Sequence, residues 1–157
     1  MPKLKIGAKA PQFNLPDQDG QMHDLKKYLG EWILIYFYPK DDTPGCTTEA
    51  CSVRDNLPKL DKLKLRVFGI STDSVKSHRK FADKFELPFT LLSDEAKEVV
   101  KKYYVWQKKK FMGKEYMGTM RTSFLIDPKG TIVKIYENVK PDKHVQEVMT
   151  DLKNLEK

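Results

Sequence analysis

Residues 36–51 read YFYPKDDTPGCTTEAC and contain the two cysteines of the chain, Cys46 and Cys51. The hydrophobic run that leads into this stretch predicts a buried strand over residues 31–38. Pro39–Asp42 interrupts the apolar pattern and predicts a loop. The chain is therefore expected to leave a strand just before it reaches the first cysteine.

A helix is expected to begin directly after this loop. Thr43 is a residue type that caps helix N-termini, and Pro44 suits the first helical position. Cys46 then lies in the first turn, where unpaired N–H groups and the helix dipole favour an anion. The thiolate is the reactive form of cysteine, so this position indicates a reactive residue. The other interpretation, a small buried hydrophobic side chain, stays open at this point.

Ionisation alone does not make a thiol fast. An unperturbed cysteine, with a pKa of ~8.5, is about 3% thiolate at pH 7, so complete ionisation gains roughly 30-fold. Nucleophilicity falls with thiol pKa, with a Brønsted slope of ~0.4–0.5, and a drop of about three units costs roughly 15- to 30-fold. Since these effects nearly cancel, a fast thiol enzyme also needs fixed donors, such as arginine or backbone N–H groups, that stabilise charge in the transition state.

The residues around Cys46 resemble a known family. Pro39, Thr43 and Cys46 match the P-x-x-x-T-x-x-C signature of the peroxiredoxins. The longer string TPGCTTEAC, with its second cysteine, is similar to the peroxiredoxin Q or bacterioferritin comigratory protein branch. The resemblance extends to the opening GAKAPQFNLPDQDG and to the segment RTSFLIDPKG, so it covers most of the chain.

The resemblance implies a role for each candidate residue. Cys46 attacks a peroxide oxygen and becomes a sulfenic acid, and Cys51 resolves it as an intramolecular disulfide. Thioredoxin, or alternatively glutaredoxin, then reduces the disulfide, and no cofactor or metal is needed. Arg121 lies beside the thiolate and donates to it and to the peroxide, which supplies the stabilisation of charge required above. Thr43 positions thiolate and peroxide, and Pro39 shields the thiolate from water.

Glu49 lies three positions after Cys46. A bare carboxylate there would disfavour the thiolate. We therefore expect Glu49 to pair with Arg121 and orient it, although a solvent-facing Glu49 fits the sequence nearly as well.

The proposed pairing of the cysteines conflicts with a regular helix. Five residues correspond to about 7.5 Å of rise and roughly 140° of rotation, so Cys46 and Cys51 point to different faces. Their Cα atoms are then farther apart than the ~7 Å that a disulfide tolerates. The helix start is expected to unwind locally during the cycle; the alternatives are that Cys51 pairs with another molecule or that both thiols stay apart.

Strand and helix signals alternate along the rest of the chain. They predict a small hairpin within residues 3–30, a helix from Thr43 that Pro58 ends or kinks near Asn56 or Leu57, strands at 65–71 and 89–92, helices at 74–85 and from Ser93 to about Tyr104, a loop or short ribbon over 105–120, strands at 122–126 and 131–136, and a final helix from Pro141. This order predicts one α/β domain over residues 1–157 with a mixed β-sheet flanked by helices. The resemblance sharpens the prediction to a thioredoxin-like fold with an N-terminal hairpin extension.

Composition bounds the class of protein. The chain has 157 residues, of which 39% are hydrophobic and 32% charged, as in a water-soluble globular domain. It contains no apolar run of 18 residues, and its N-terminus lacks the apolar core of a signal peptide, so a cytoplasmic protein without membrane contact is expected. The resemblance to the peroxiredoxin Q branch implies a monomer. Two cysteines in a reducing compartment are more often redox-active or inert than a structural disulfide.

Two rival functions remain. A peroxide-responsive redox sensor would use the same Cys46 but turn over poorly with excess reductant. A basic nucleic-acid-binding or metal-binding module would use the net charge of +7, or a zinc site built from the two cysteines with His78 and His144. The lysines are mixed with acids along the chain, and the cysteine and histidine spacing fits zinc poorly, so both versions of the second rival are disfavoured.

Overall fold

The computed structural model describes residues 3–156. The strands are β1 Asn14–Pro16, β2 Met22–Asp24, β3 Trp32–Phe37, β4 Leu65–Ser71, β5 Thr90–Ser93, β6 Trp106–Phe111, β7 Lys114–Thr119, β8 Thr122–Ile126 and β9 Ile132–Tyr136. The α-helices are α1 Pro44–Lys62, α2 Val75–Phe85, α3 Glu98–Lys102 and α4 His144–Leu155, and a short 3₁₀ helix spans Leu25–Tyr28.

A five-stranded mixed sheet, in the order β5-β4-β3-β8-β9, forms the centre of the fold. Strands β3, β4 and β5 run parallel, with α1 and α2 as the crossovers between them. Strand β8 runs antiparallel to β3, and β9 runs antiparallel to β8. The mixed sheet and the parallel pairing of β3 with β4 confirm the sequence prediction.

Alternate residues of β3 enter two different cores, as the period of a buried strand requires. Leu34 and Tyr36 join a core with side chains of α1, α2 and α4. Ile33, Ile35 and Phe37 join a second core with α3 and the N-terminal segment. Helices therefore cover both faces of the sheet. Strands β1 and β2, near the N-terminus of the chain, form the predicted hairpin.

Local signals predict several elements well. Strands β4 and β8 have the predicted bounds, and α2 begins after Ser74, whose hydroxyl accepts a hydrogen bond from the Ser77 N–H. Residues 105–120 are expected to form a loop or a short ribbon. They form the ribbon, since β6 and β7 pair as an antiparallel hairpin.

Three predicted boundaries are wrong. Helix α1 continues past Pro58 to Lys62, because Val53 and Leu60 on either side of the proline are buried in the core and hold the helix in place. Helix α3 begins at Glu98 rather than Ser93, because residues 90–93 complete β5. The last helix begins at His144, three residues after Pro141. Within residues 3–156, no helix is both long and apolar enough to span a bilayer.

The close packing of Tyr36 on Gly69 gives a test of the core. A Cβ atom at Gly69 would lie 2.8 Å from both Cζ and the hydroxyl oxygen of Tyr36 and 3.0 Å from Cδ2 of Leu91. Because this site is buried, we expect Gly69→Ala to lower the free energy of unfolding by about 2 kcal/mol in urea titrations under reducing conditions.

The matched second variant is Gly69→Ala combined with Tyr36→Phe. The Tyr36 hydroxyl is buried without a hydrogen-bond partner among the described residues. Removing it deletes one of the two clashing atoms without breaking a hydrogen bond, so the double variant should recover part of the loss. Equal stability of Gly69→Ala and the wild type would contradict this packing.

Candidate active site

The loop after β3 turns sharply into α1. Asp42 adopts the left-handed backbone conformation, with φ of 58°. Thr43 returns to an extended conformation, and Pro44 is the first helical residue. The Thr47 N–H donates to the Thr43 carbonyl at 2.8 Å and closes the first turn. Cys46 lies in this turn and is 1% exposed.

Thr43 occupies the N-cap position, but its side chain does not make the capping hydrogen bond expected of it. The Thr43 hydroxyl donates instead to the Lys40 carbonyl at 2.9 Å. The left-handed turn at Asp42 folds the chain back and brings this carbonyl within reach. The hydroxyl therefore fastens the loop and leaves the first-turn N–H groups to an anion.

The sheet register brings Arg121 to the thiol. Arg121 immediately precedes β8, and its neighbour Thr122 pairs with Phe37, the last residue of β3. The Arg121 side chain thus starts from the end of β3 that leads into the Cys46 loop. Its Nη2 donates to Cys46 Sγ at 3.3 Å, although the two residues are 75 positions apart in the sequence.

The same guanidinium contacts Glu49. Its Nη1 donates to Glu49 Oε1 at 3.0 Å, which is the pairing expected from the sequence. Glu49 is 1% exposed, so the solvent-facing alternative is wrong. One arginine therefore bridges the thiol and the carboxyl group with its two terminal nitrogens.

Burial and charge act in opposite directions on these groups. Burial raises the pKa of Glu49 to about 7 and outweighs the lowering by Arg121, since Oε2 has no hydrogen-bond partner among the described residues. Burial lowers the pKa of Arg121, but Cys46 and Glu49 raise it more, so the net shift is upward. Arg121 therefore stays a cation, whereas Glu49 exchanges its proton near neutral pH.

Gly45 allows the guanidinium to come this close. A Cβ atom at Gly45 would lie 3.0 Å from Arg121 Nη2 and 3.6 Å from Arg121 Cζ. That space would be too tight for any side chain unless Arg121 moved. Gly45 has a helical backbone conformation that any residue could adopt. What the site requires of it is the absence of a side chain.

Cys51 stands apart from this cluster. Both cysteines are free thiols on the uninterrupted helix α1, Cys46 buried and Cys51 half-buried. Cys51 lies one helical turn before Arg54, whose guanidinium donates to the Phe85 carbonyl at the end of α2. The helix therefore points the two thiols in different directions, as the spacing predicts.

Of the sequence-predicted residues, the structure gathers Cys46, Arg121 and Glu49 in direct contact, with Thr43 at the start of the same helix. Pro39 is half-buried and begins the loop. Its shielding of the thiolate stays a prediction.

Sequence reasoning missed Lys109. This half-buried residue of β6 pairs with Tyr116 across the hairpin. Burial and the charge of Arg121 lower the pKa of Lys109, while the charge of Cys46 raises it. The hairpin therefore brings a second cation toward the thiol. The signal in the sequence is the run of three lysines at residues 108–110, but its place near Cys46 depends on the hairpin's packing.

The histidines of the disfavoured zinc site are engaged elsewhere. His78 contacts Asp41 and the Leu92 carbonyl through its two ring nitrogens. His144 contacts Ser123 and Glu147 in the same way. Neither ring nitrogen of either histidine is directed to a cysteine, which agrees with the poor spacing.

Comparison with known proteins connects this geometry to a family. The model of the AhpC/TSA family matches residues 6–135. The chain is 48% identical to Peroxiredoxin Bcp of Escherichia coli K12 over 153 residues, which is 98% of each chain. It is 44% identical to Peroxiredoxin Bcp of Bacillus subtilis 168 over 152 residues, 97% of each chain.

A solved structure agrees with these matches. The fold resembles that of the bacterioferritin comigratory protein of Xanthomonas campestris, a protein with alkyl peroxide reduction activity, with a TM-score of 0.87 and 37% sequence identity over 92% of each chain. The thioredoxin-like fold that the resemblance implies is thereby confirmed.

Gly45→Ala should lower the reactivity of Cys46 without lowering the stability of the protein. Alanine favours the helix by up to about 1 kcal/mol over glycine, so the free energy of unfolding should hold or rise. The added methyl group would lie 3.0 Å from Arg121 Nη2, so the guanidinium must shift slightly beside Cys46, and we expect the rate constant for Cys46 oxidation by peroxide to fall about 10-fold. Stopped-flow fluorescence and urea unfolding of the same preparation measure both. An unchanged rate constant would show that the guanidinium position does not matter.

Glu49 predicts a pH dependence of stability. Its folded pKa of about 7 lies above the ordinary value of 4.5, so the folded state holds an extra proton between these pH values. Stability therefore falls as pH rises from about 4.5 through 7 and then levels off. Glu49→Gln should remove this component from urea unfolding between pH 5 and 8.5, whereas the control Glu95→Gln, at an exposed position, should leave it unchanged. A slope in Glu49→Gln as steep as that of the wild type would assign it to another group.

Proposed function

The chain belongs to the AhpC/TSA family and is a peroxiredoxin of the Bcp, or peroxiredoxin Q, type, and we propose that Cys46 is its peroxide-reacting thiol. Thiol peroxidase activity follows from the family. The observation that carries the assignment to Cys46 is the 3.3 Å contact between Arg121 Nη2 and Cys46 Sγ in a buried first helical turn.

In the first step the Cys46 thiolate attacks the terminal oxygen of a hydroperoxide. The S–O bond forms as the O–O bond breaks, Cys46 becomes a sulfenic acid, and the leaving alkoxide or hydroxide takes a proton from solvent. Negative charge moves from sulfur to the leaving oxygen. Arg121 and the first-turn N–H groups remain in place to stabilise it, and that supplies the charge stabilisation that ionisation alone does not provide.

Thr43 and Pro39 complete the proposed pocket. The Thr43 hydroxyl donates to the Lys40 carbonyl at the N-terminus of α1. Thr43 is three residues before Cys46, and we propose that it orients an incoming peroxide. Pro39 begins the loop and limits access of water to the thiolate. Hydrogen peroxide and organic hydroperoxides are the proposed substrates, in line with the alkyl peroxide reduction of the Xanthomonas relative.

In the second step the Cys51 thiolate attacks the Cys46 sulfur. The S–S bond forms as the S–O bond breaks, and the leaving hydroxide takes a proton from solvent and departs as water. This requires the start of α1 to unwind, since about 7.5 Å of helical rise separates the residues. Gly45 and the pair Thr47-Thr48 are poor helix formers and weaken this turn. The opposing cost is the removal of Ala50, which is fully buried, from the core.

In the third step an external dithiol attacks the disulfide and returns both cysteines to thiols. Thioredoxin is the proposed reductant, and glutaredoxin is the alternative. Because both thiols belong to one chain, a cytoplasmic monomer can complete the cycle.

Two serine variants test this sequence of steps. Cys46→Ser should abolish peroxide consumption coupled to thioredoxin and its reductase, because a hydroxyl is far less ionised than a thiol. Cys51→Ser should still consume about one equivalent of peroxide per chain and then stop unless a small thiol is added. Full thioredoxin-linked turnover by Cys46→Ser would overturn the assignment.

The oxidised wild type provides the complementary measurement. Non-reduced peptide digests should contain a Cys46–Cys51 link, and amide exchange should accelerate across residues 44–55. Disulfide-linked dimers as the main product, or unchanged exchange in that segment, would contradict the intramolecular step.

A further inference from the structure

A buried polar network lies beneath the loop that leads to Cys46. His78, on α2, is fully buried. Its Nδ1 lies 2.7 Å from Asp41 Oδ2, and its Nε2 lies 2.9 Å from the Leu92 carbonyl oxygen. The Asp41 carboxylate also accepts hydrogen bonds from Tyr38 at 2.6 Å and from Ser77 at 2.8 Å.

The partners indicate the protonation state of His78. A carbonyl oxygen can only accept, so Nε2 carries a proton. Asp41 accepts three hydrogen bonds, the pattern of a charged carboxylate, and Nδ1 then also donates. His78 is therefore an imidazolium paired with Asp41. Burial lowers the pKa of His78, but the hydrogen bond and charge of Asp41 raise it more, which agrees with this state.

Asp41 transmits this contact to the active-site loop. Its backbone N–H donates to Asp73 Oδ2 at 2.8 Å, so both its side chain and its main chain are fastened. Asp41 lies between Pro39 and Thr43, the two residues proposed to shape the peroxide pocket. The turn at Asp42 follows it directly and sets the direction of α1.

The same residues could be considered for a metal, since Asp41, Asp73 and His78 bring potential ligand atoms within 4.8 Å of one another. The protein already satisfies them. His78 bonds to Asp41, and Asp73 Oδ2 accepts from the Asp41 N–H and from the Ser71 hydroxyl. The cluster therefore functions as a hydrogen-bond network.

We propose that His78 is a positioning residue of the peroxidase reaction: acting through Asp41, it holds the Pro39–Thr43 loop in the shape that the reaction of Cys46 with peroxide requires. The inference rests on the proposed role of Cys46. The network also fastens the chain just before the helical turn that unwinds, so the loop returns to one shape after each cycle.

The charges around His78 give the proposal a pH dependence. The groups that face His78 are Tyr38 and Asp41 from the end of β3 and its loop, Asp73 from the loop before α2, and the Leu92 carbonyl from β5. Among the described residues, His78 is the cation in hydrogen-bond contact with Asp41. Because its folded pKa is raised, its hold on the loop is complete at low pH and is lost as pH rises through that pKa.

Two reactions of Cys46 distinguish positioning from loss of structure. Peroxide oxidation requires the shaped pocket, whereas alkylation by iodoacetamide requires only an accessible thiolate; alkylation is followed at Cys46 by peptide mass spectrometry, because Cys51 is also a free thiol. For His78→Asn we expect the rate constant with hydrogen peroxide to fall about 10- to 100-fold, while that with iodoacetamide stays within about threefold. A peroxide rate constant within about threefold of the wild type, or an equal fall in both reactions, overturns the proposal.

The chain contains a matched control. His23 pairs with Asp17 at 2.7 Å, the same length as the His78–Asp41 contact, but lies in the N-terminal hairpin. His23→Asn should change both rate constants by less than about twofold. A wild type whose Cys46 does not react with peroxide at all would instead contradict the proposed function, so the two failures are distinguishable.

The wild type provides a second test if His78→Asn does not fold. Nitrogen-detected NMR should show both ring nitrogens of His78 protonated at pH 7. The peroxide rate constant should decline at the pH where this ring loses a proton, while alkylation does not decline. Lys109→Met should retain that decline, because Lys109 faces Arg121 and Cys46 rather than His78. A neutral His78 ring at pH 7, or a decline that follows Lys109, overturns the proposal.

Discussion

The contact between Arg121 and Cys46 is the interaction on which the rest of the site depends. A thiolate that is 1% exposed loses most of its hydration, so its charge must be balanced by a fixed cation. Arg121 provides this charge from a fixed position. Its backbone immediately precedes β8, which is held in place by pairing with β3. The antiparallel insertion of β8 next to β3 therefore has a chemical consequence as well as a topological one. It brings the arginine to the end of the strand from which the thiol departs.

Glu49 has two opposing effects on the charges around Cys46. Its carboxyl group orients the guanidinium, yet a fully ionised Glu49 would add a second buried anion beside the thiolate. Burial resolves the conflict by raising the pKa of Glu49 to about 7. Near neutral pH Arg121 is thus a cation and Glu49 is partly protonated, so the negative charge that Glu49 adds beside Cys46 is reduced. Gly45 completes the arrangement, since the backbone there leaves room for the guanidinium and no more.

The sequence predicts those features that depend on near neighbours and fails where distant residues decide. Pro44 and Cys46 were placed on the first turn from local signals, and the ends of β4 and β8 from hydrophobic runs. Arg121 could be identified only through the family motif, because 75 residues separate it from Cys46. Propensity predicts that Pro58 ends or kinks α1, but buried neighbours on both sides let the helix continue to Lys62. His78 and Asp41 are 37 residues apart, and neither belongs to a local sequence motif that predicts their contact.

The proposed cycle requires helix α1 to be rigid enough to hold the thiol beside Arg121 and weak enough to open at its start. The two demands fall on different parts of the chain. Toward its C-terminal end, the buried residue Leu60 anchors the helix in the core and resists unwinding. Before Pro44, the buried contacts of Asp41 fasten the loop. Between these anchors lies a turn with a glycine, two threonines and no side-chain cap from Thr43. Because both ends are held, we expect the proposed opening to stay local to the start of α1, so that the reduced site can re-form without refolding the rest of the domain.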